Sequence, residues 1–310
     1  MKISIVICTY NRAQYIGHTL DCLAANAIDG IGEVLLIDNN STDATADICR
    51  RFAEAHPSFP FRYVVETAQG LSHARNRGLA EAAGEWVVFL DDDAFVTADY
   101  VARLSGHIGR QPAMDAFGGR IDPLYESGAE PAWMSPWAYS WVSAINLGDA
   151  VRPMQGKTFP IGANMGVRRD LALAVGGFNT QLGRSGKNTM AGEEKDFFNR
   201  IRERGGRILY LPDVRVQHCI PPSRTTLDFI ARLGDGVGAS ERRRTLALGR
   251  WHYAMRLAAE GVKWAATCLL WLRYAIFGQR IKGDALVKFR WHVSKTLAPP
   301  PTPPQGRGVE

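Results

Sequence analysis

The chain has 310 residues, 46% hydrophobic and 22% charged, which is ordinary globular composition and excludes a disordered or fibrous protein. No run reaches the ~18 uninterrupted apolar residues of a membrane-spanning helix; the five cysteines (8, 22, 49, 219, 268) stand apart with no CxxC pair, which speaks against a disulfide framework or cysteine zinc site and fits a reducing cytoplasm. The net charge of +6 is uneven: residues 1–240 hold 24 basic and 27 acidic residues, net −3, and residues 241–310 hold 13 and 4, net +9.

Residues 3–8 are a β-branched apolar run that predicts a buried strand. The run is too short for a secretory leader and no small-residue cleavage site follows it, so the chain is expected to stay inside the cell. Tyr15, Ile16, Leu20 and Leu23 then recur at helical spacing. Residues 34–37 predict a second strand, ending in Asp38-Asn39-Asn40-Ser41-Thr42-Asp43. There Ser41 or Thr42 is expected to cap a helix whose apolar face includes Ala46, Ile48 and Phe52. Residues 61–65 predict strand three, 72–83 helix three, and 86–90 strand four, which closes on Asp91-Asp92-Asp93. This alternation predicts an α/β fold, a mostly parallel sheet with flanking helices.

Thr9, Asn11, Asp38 and the Asp91, Asp92, Asp93 triplet each follow the last apolar residue of a predicted strand. Ligands of open α/β sheets bind outside the carboxyl ends of strands, so these residues are expected to line one crevice. No GxGxxG follows the first strand and no GxxxxGK[ST] occurs, which weighs against a dinucleotide oxidoreductase and removes a P-loop kinase. In extended backbone Asp91 and Asp93 point to one side, about 6–7 Å apart. At an effective dielectric near 20 they repel by roughly 2–3 kcal/mol. A divalent cation removes that conflict, and oxygen ligands favour Mg2+ or Mn2+ over zinc. The alternative is a solvated acidic turn capping the next helix.

Six stretches carry a resemblance: Ile5-Val6-Ile7-Cys8-Thr9-Tyr10-Asn11-Arg12, Asp38-Asn39-Asn40-Ser41-Thr42-Asp43, Gly70-Leu71-Ser72-His73-Ala74-Arg75-Asn76-Arg77-Gly78, Leu90-Asp91-Asp92-Asp93, Gly162-Ala163-Asn164-Met165 and Gly192-Glu193-Glu194-Lys195-Asp196-Phe197. In this order and spacing the sequence resembles a family 2 glycosyltransferase of the GT-A fold, a nucleotide-sugar-dependent enzyme, over roughly residues 1–225. The resemblance implies a Rossmann-like GT-A domain over 1–240. It also implies nucleobase contacts from Thr9, Asn11 and Asp38, and a pyrophosphate-side cation at Arg75, for which a surface salt bridge is the alternative. Asp91 or Asp92 is expected to face the ribose, Asp93 to ligate the metal, and Gly162, Ala163 and Asn164 to lie against the donor sugar.

Glu193 and Glu194 sit where first-turn acids suit a helix dipole. In the resembling family this position reads Glu-Asp, and its second carboxylate is the general base of inverting members. Here Glu194 is one methylene longer, so either its reach differs or Glu193 shares the task. After a predicted strand over 209–216, His218 resembles a late histidine that joins the metal or pyrophosphate, a structural histidine being the alternative. Arg224 is expected on the same diphosphate. Trp133, Trp137, Tyr139 and Trp141 are either an acceptor platform or a buried aromatic plug.

Residues 241–298, basic and rich in tryptophan, predict a helical C-terminal extension with a helix over 264–277, and the Pro-rich residues 299–310 predict a disordered tail. No nucleic-acid-binding pattern accompanies the basic residues. Either the helices touch an anionic membrane surface at the cytoplasmic face or they form a hairpin packed on the core. The expected function is inverting transfer from a UDP-sugar to a saccharide or lipid-linked acceptor in polysaccharide or glycolipid biosynthesis. The alternatives are a nucleotidyltransferase of similar shape and a catalytically silent carbohydrate- or lipid-binding module.

Overall fold

The apolar runs of the sequence become the middle of a sheet in the computed structural model, which describes residues 2–26, 31–183 and 192–298. β1 (Ile3–Thr9), β2 (Ile31–Asp38), β3 (Phe61–Val65) and β4 (Trp86–Asp91) lie parallel in the order β3–β2–β1–β4. Helices α1 (Ala13–Ala24), α2 (Thr45–Ala55) and α3 (Leu71–Glu81) make the crossovers. β1, β2 and β4 are buried almost throughout, because helices cover both faces of a parallel sheet. The register sets Thr9 beside Asp38, and Cys8 beside Asp91, so the carboxyl ends of three strands finish on one edge.

Beyond β4 the direction changes. β5 (Ala94–Val96), α4 (Tyr100–Arg110), β6 (Ala116–Tyr125), β7 (Arg152–Pro153), β8 (Met165–Arg168), α5 (Arg169–Ala174), α6 (Glu193–Glu203) and β9 (Ile208–Ile220) follow in the chain. β8 inserts antiparallel between β4 and β6, β6 and β9 are parallel, and β5 and β7 each run antiparallel to β9. Gly166 makes that insertion possible: the Phe117 ring fills the space its side chain would take. β5 pairs Ala94 with His218, and Cys219 N–H donates to the Asp93 carbonyl at 2.8 Å, which draws the acidic turn against the end of β9.

One cap differs from the expectation at Ser41 or Thr42. Asp43 does the work instead, accepting from Thr45 N–H at 3.0 Å and from Ala13 N–H, at the start of α1, at 2.9 Å. Burial alone would push the Asp43 carboxyl up, but the hydrogen bonds from the Thr45 hydroxyl and from these amides outweigh that cost and hold it below its usual range. Ser41 and Thr42 are occupied by Asn11: its N–H donates to Ser41 Oγ at 2.9 Å and its Oδ1 accepts from Thr42 N–H at 2.7 Å. Asn11 reaches this position with φ of 53°, a left-handed conformation that asparagine tolerates.

The chain divides into two compact units, 1–129 with 139–221, and 130–138 with the chain from 222 onward. The sheet and α1 to α6 belong to the first. The second contains α7 (Leu227–Ala247), α8 (Arg250–Ile276) and α9 (Arg280–Leu297). The change of charge at residue 240 falls inside α7, because charge composition and packing change at different places. α7 and α9 approach closely at Gly238, where a side chain would overlap the Val293 carbonyl and Thr296 Oγ1. Among the described residues no helix is long and apolar enough to cross a membrane. The expected disordered tail, 299–310, lies outside the described residues.

Candidate functional site

The strand ends of the first unit bring most of the expected residues together, but not with the contacts expected of each. Thr9 is buried, and its hydroxyl donates to Asp92 Oδ2 at 2.8 Å. Asp38 is also buried: Oδ1 accepts from Ser41 N–H at 2.8 Å and Oδ2 accepts from the Tyr63 hydroxyl. Asn11 therefore ties the β1 loop to the β2 loop, Thr9 ties the end of β1 to the turn after β4, and Asp38 braces its own loop and β3. Of the three, Thr9 and Asp38 keep oxygen lone pairs beyond those bonds, whereas Asn11 Oδ1 also accepts from the Thr42 hydroxyl at 3.4 Å.

The acidic triplet splits by role. Asp92 is buried, held by Thr9 and facing Arg12 Nε at 3.9 Å, while Asp91, the other residue expected at the ribose, is partly exposed at the end of β4. Burial first, then the charge of Asp93, pushes the Asp92 carboxyl up to about 8. Asp91 closes β4 and Asp93 lies in the turn that follows it. One ligand atom from each lies within 4.8 Å of the others in a set completed by His218.

His218 is oriented for such a set. It is buried, its Nδ1 sits 3.0 Å from the Val142 carbonyl, and its Nε2 is 3.1 Å from Asp93 Oδ1. A carbonyl can only accept, so Nδ1 carries the hydrogen and Nε2 is left facing a carboxylate, which also only accepts. Two lone pairs at that distance need a cation or a proton between them, and a carbonyl behind the ring is the usual outer support of a metal-ligating histidine. Two carboxylates and one imidazole suit Mn2+ or Mg2+, with the nitrogen shifting the balance toward Mn2+. The residues present fit a divalent cation.

Arg75 joins this cluster to the expected base. It is 2% exposed and reaches Glu193 Oε1 at 3.2 Å, Glu194 Oε1 at 3.3 Å and Asp91 Oδ1 at 3.7 Å. Burial works against its charge, but Glu194, Glu193 and Asp91 outweigh it, and the guanidinium stays charged with its affinity for the proton raised. A surface salt bridge, the alternative for Arg75, does not describe it: buried and enclosed by three carboxylates, Arg75 is a hub that positions them. Phe178 backs it, with the guanidinium carbon 5.4 Å from the ring centre.

Glu193 and Glu194 open α6, as the first-turn acids suggested. Glu193 is buried, and its Oε2 has no hydrogen-bond partner among the described residues. Glu194 remains partly exposed and accepts from Arg75 and, at 3.2 Å, from Gly162 N–H. A side chain on Gly162 would overlap Arg75 Nη2 and come within 2.8 Å of Glu194 Oε1, so glycine is what lets these three groups meet.

Ala163 and Asn164, expected like Gly162 beside the donor sugar, have fully buried side chains. Asn164 accepts from the Tyr100 hydroxyl at 2.8 Å and donates to the carbonyls of Arg120 and Val214 at 3.1 and 2.9 Å. Replacing it by Ala strands three buried polar groups, and a stability loss of about 2–4 kcal/mol is expected in chemical denaturation. Unchanged stability would contradict this reading of its role.

Arg224 belongs to the second unit, where its guanidinium lies 5.7 Å from the centre of the Phe229 ring. Of the aromatic group, Trp133 and Trp141 are buried while Trp137 and Tyr139 are exposed; Trp133 and Trp137 belong to the second unit, Tyr139 and Trp141 to the first. Arg12 and Tyr63 were not singled out from the sequence. Arg12 Nη2 lies 3.5 Å from Asp93 Oδ2, and its place directly after Asn11, in a strand-end loop opposite an acidic triplet, was the available signal. Tyr63 offered none, since its contact to Asp38 depends on how β2 and β3 pair. Cys8 borders the site, but burial pushes its thiol up to about 12, which makes it a packing residue and not a nucleophile.

Comparisons with known proteins agree with one another. The model of the family described as Glycosyl transferase family 2 matches residues 4–176. The chain is 26% identical over 250 residues to a glucosyl-dolichyl phosphate glucuronosyltransferase of Haloferax volcanii, covering 78% of this chain and 77% of the relative. It is 29% identical over 235 residues to the succinoglycan biosynthesis protein ExoM of Rhizobium meliloti, covering 75% and 71%. The solved structure of a mannosyltransferase from Pyrobaculum calidifontis, in complex with GDP-Man and Mn2+, superimposes with a TM-score of 0.60 at 21% identity, covering 95% of this chain and 86% of that one.

Proposed function

Since the chain belongs to glycosyl transferase family 2 and is a glycosyltransferase of glycoconjugate biosynthesis, we propose that it moves a sugar from a nucleotide diphosphate donor, with UDP favoured, to an acceptor hydroxyl with inversion. The acceptor is a saccharide or a lipid-linked saccharide. Family membership displaces the nucleotidyltransferase alternative, whose glycine-rich loop after the first strand this chain also lacks.

The observation that carries the reading is the Arg75 junction, which ties the Glu194 carboxylate to Asp91 of the Asp91, Asp93 and His218 set. Inverting transfer needs a base on one side of the anomeric carbon and positive charge on the other. Glu194, partly exposed and held by Arg75 and Gly162 N–H, takes the proton of the acceptor hydroxyl as its oxygen attacks that carbon. The nucleoside diphosphate departs from the opposite face, which inverts the centre. A divalent cation at Asp91, Asp93 and His218 would supply positive charge toward the departing phosphates. Arg12 holds Asp93 from the far side and Arg75 holds Asp91, so both carboxylates keep their aim without reorganisation. Among the nucleobase contacts, Asp38 accepts the imide N–H of uracil with a lone pair left free by Ser41 and Tyr63.

The test is a thermal-shift panel of UDP, GDP, dTDP and CMP, each with and without Mn2+. UDP with Mn2+ is expected to raise the midpoint most, because bound ligand stabilises by mass action. A preference for GDP would overturn the uracil assignment. No response to any nucleotide would favour the catalytically silent binding module.

A further inference from the structure

Helix α8 is inside out. Its buried residues are Glu260 and Thr267, whereas Met255, Val262, Leu269 and Ile276, each seven residues from the next, point outward and are 54%, 73%, 70% and 71% exposed. Seven residues are close to two helical turns, so these four form one apolar stripe. Trp251 and Leu272 widen it. The inward side carries the polar work: Glu260 accepts from Arg256 at 2.6 Å, Arg290 at 3.0 Å and Ser294 at 3.2 Å, while Trp264 donates to Ser294 at 2.9 Å. Trp271 likewise donates to Asp284 at 2.7 Å. A helix that spends its inner face on an ion network and offers its apolar face to water forgoes the main driving force for folding, and a patch this continuous marks a contact surface.

Charge decides what covers it. Residues 241–298 hold 12 basic and 3 acidic residues, and all three acids are already paired within the unit. A second copy would bring the same positive excess to the contact, whereas an anionic lipid surface complements it. At one end of the stripe Arg242 and Arg250, with Leu246 and Trp251, line an open pocket of about 580 Å³. Arg242 Nε is buried there without a hydrogen-bond partner among the described residues. Guanidinium groups beside apolar side chains are what a phosphodiester headgroup above an acyl chain requires.

We propose that the outer face of α8 docks this protein flat on an anionic membrane, with Met255, Val262, Leu269 and Ile276 entering the acyl boundary and Arg242 and Arg250 holding lipid phosphate. This goes beyond the transfer reaction and does not rest on it: its failure leaves the crevice reading intact, and failure of that reading leaves the stripe.

Flotation of the full chain with vesicles tests it. Adding about a third phosphatidylglycerol to phosphatidylcholine is expected to raise the bound fraction about tenfold, with the gain reversed by high salt. Leu269→Glu with Ile276→Glu is expected to abolish binding with the thermal midpoint unchanged, since both side chains already face outward. Arg242→Gln with Arg250→Gln is expected to remove the preference for anionic lipid. A wild-type chain that stays in the aqueous fraction would overturn the proposal. So would variants that bind like wild type, or a dimer in light scattering that the Leu269 and Ile276 changes dissociate.

Discussion

Glu194→Gln is expected to lower sugar transfer about a thousandfold, an effect of about 4 kcal/mol on the transition state, while donor affinity stays within about twofold. The amide oxygen still accepts from Gly162 N–H, and Arg75 keeps Glu193 and Asp91, so the local structure survives the change. What is lost is the capacity to take a proton. Steady-state turnover beside a donor titration separates the two effects, because an interaction used only in the transition state changes turnover and not ground-state binding. Wild-type turnover in the variant would remove Glu194 from the role. Glu193→Gln is the informative companion: Glu193 is buried against Arg75, so its change is expected to act on stability first.

Asp93→Asn is expected to abolish the enhancement of UDP binding by Mn2+, a loss of about a hundredfold in metal-supported affinity. The substitution preserves shape but removes the charge that faces His218 Nε2 at 3.1 Å and Arg12 Nη2 at 3.5 Å. A neutral amide is a poor substitute for a carboxylate toward a divalent ion. Calorimetric titration of UDP with and without Mn2+ reads the effect directly. His218→Ala is expected to weaken the same enhancement, and metal-independent binding in the wild-type chain would contradict the assignment of all three ligands.

The parallel half of the sheet was legible because its strands are buried on both faces and so read as unbroken apolar runs in β1, β2 and β4. The polar residues at their ends followed from that reading, which is why Thr9, Asp38 and Asp91 arrive on one edge. β8 was not legible: four residues carry no period, and their antiparallel insertion depends on a ring from β6 lying over Gly166. The burial of Arg75 was equally hidden. Its neutralising carboxylates lie 118 and 119 positions away, and local sequence cannot announce such a partner. The partners of Asn164 and Asp92 were hidden in the same way, because their hydrogen bonds reach carbonyls and a hydroxyl 44 to 83 positions away. For α8 only the second half was legible, as a helix over 264–277, and not which side faces out, since the inward side is the polar one.

Crystals soaked with manganese and UDP, measured at the manganese absorption edge, test the shared crevice most directly. The expected result is an anomalous peak between the carboxylates of Asp91 and Asp93 and Nε2 of His218, in contact with the diphosphate, with Glu194 on the sugar's opposite side. A peak lodged elsewhere, or bound UDP with no peak at those three residues, would contradict the account.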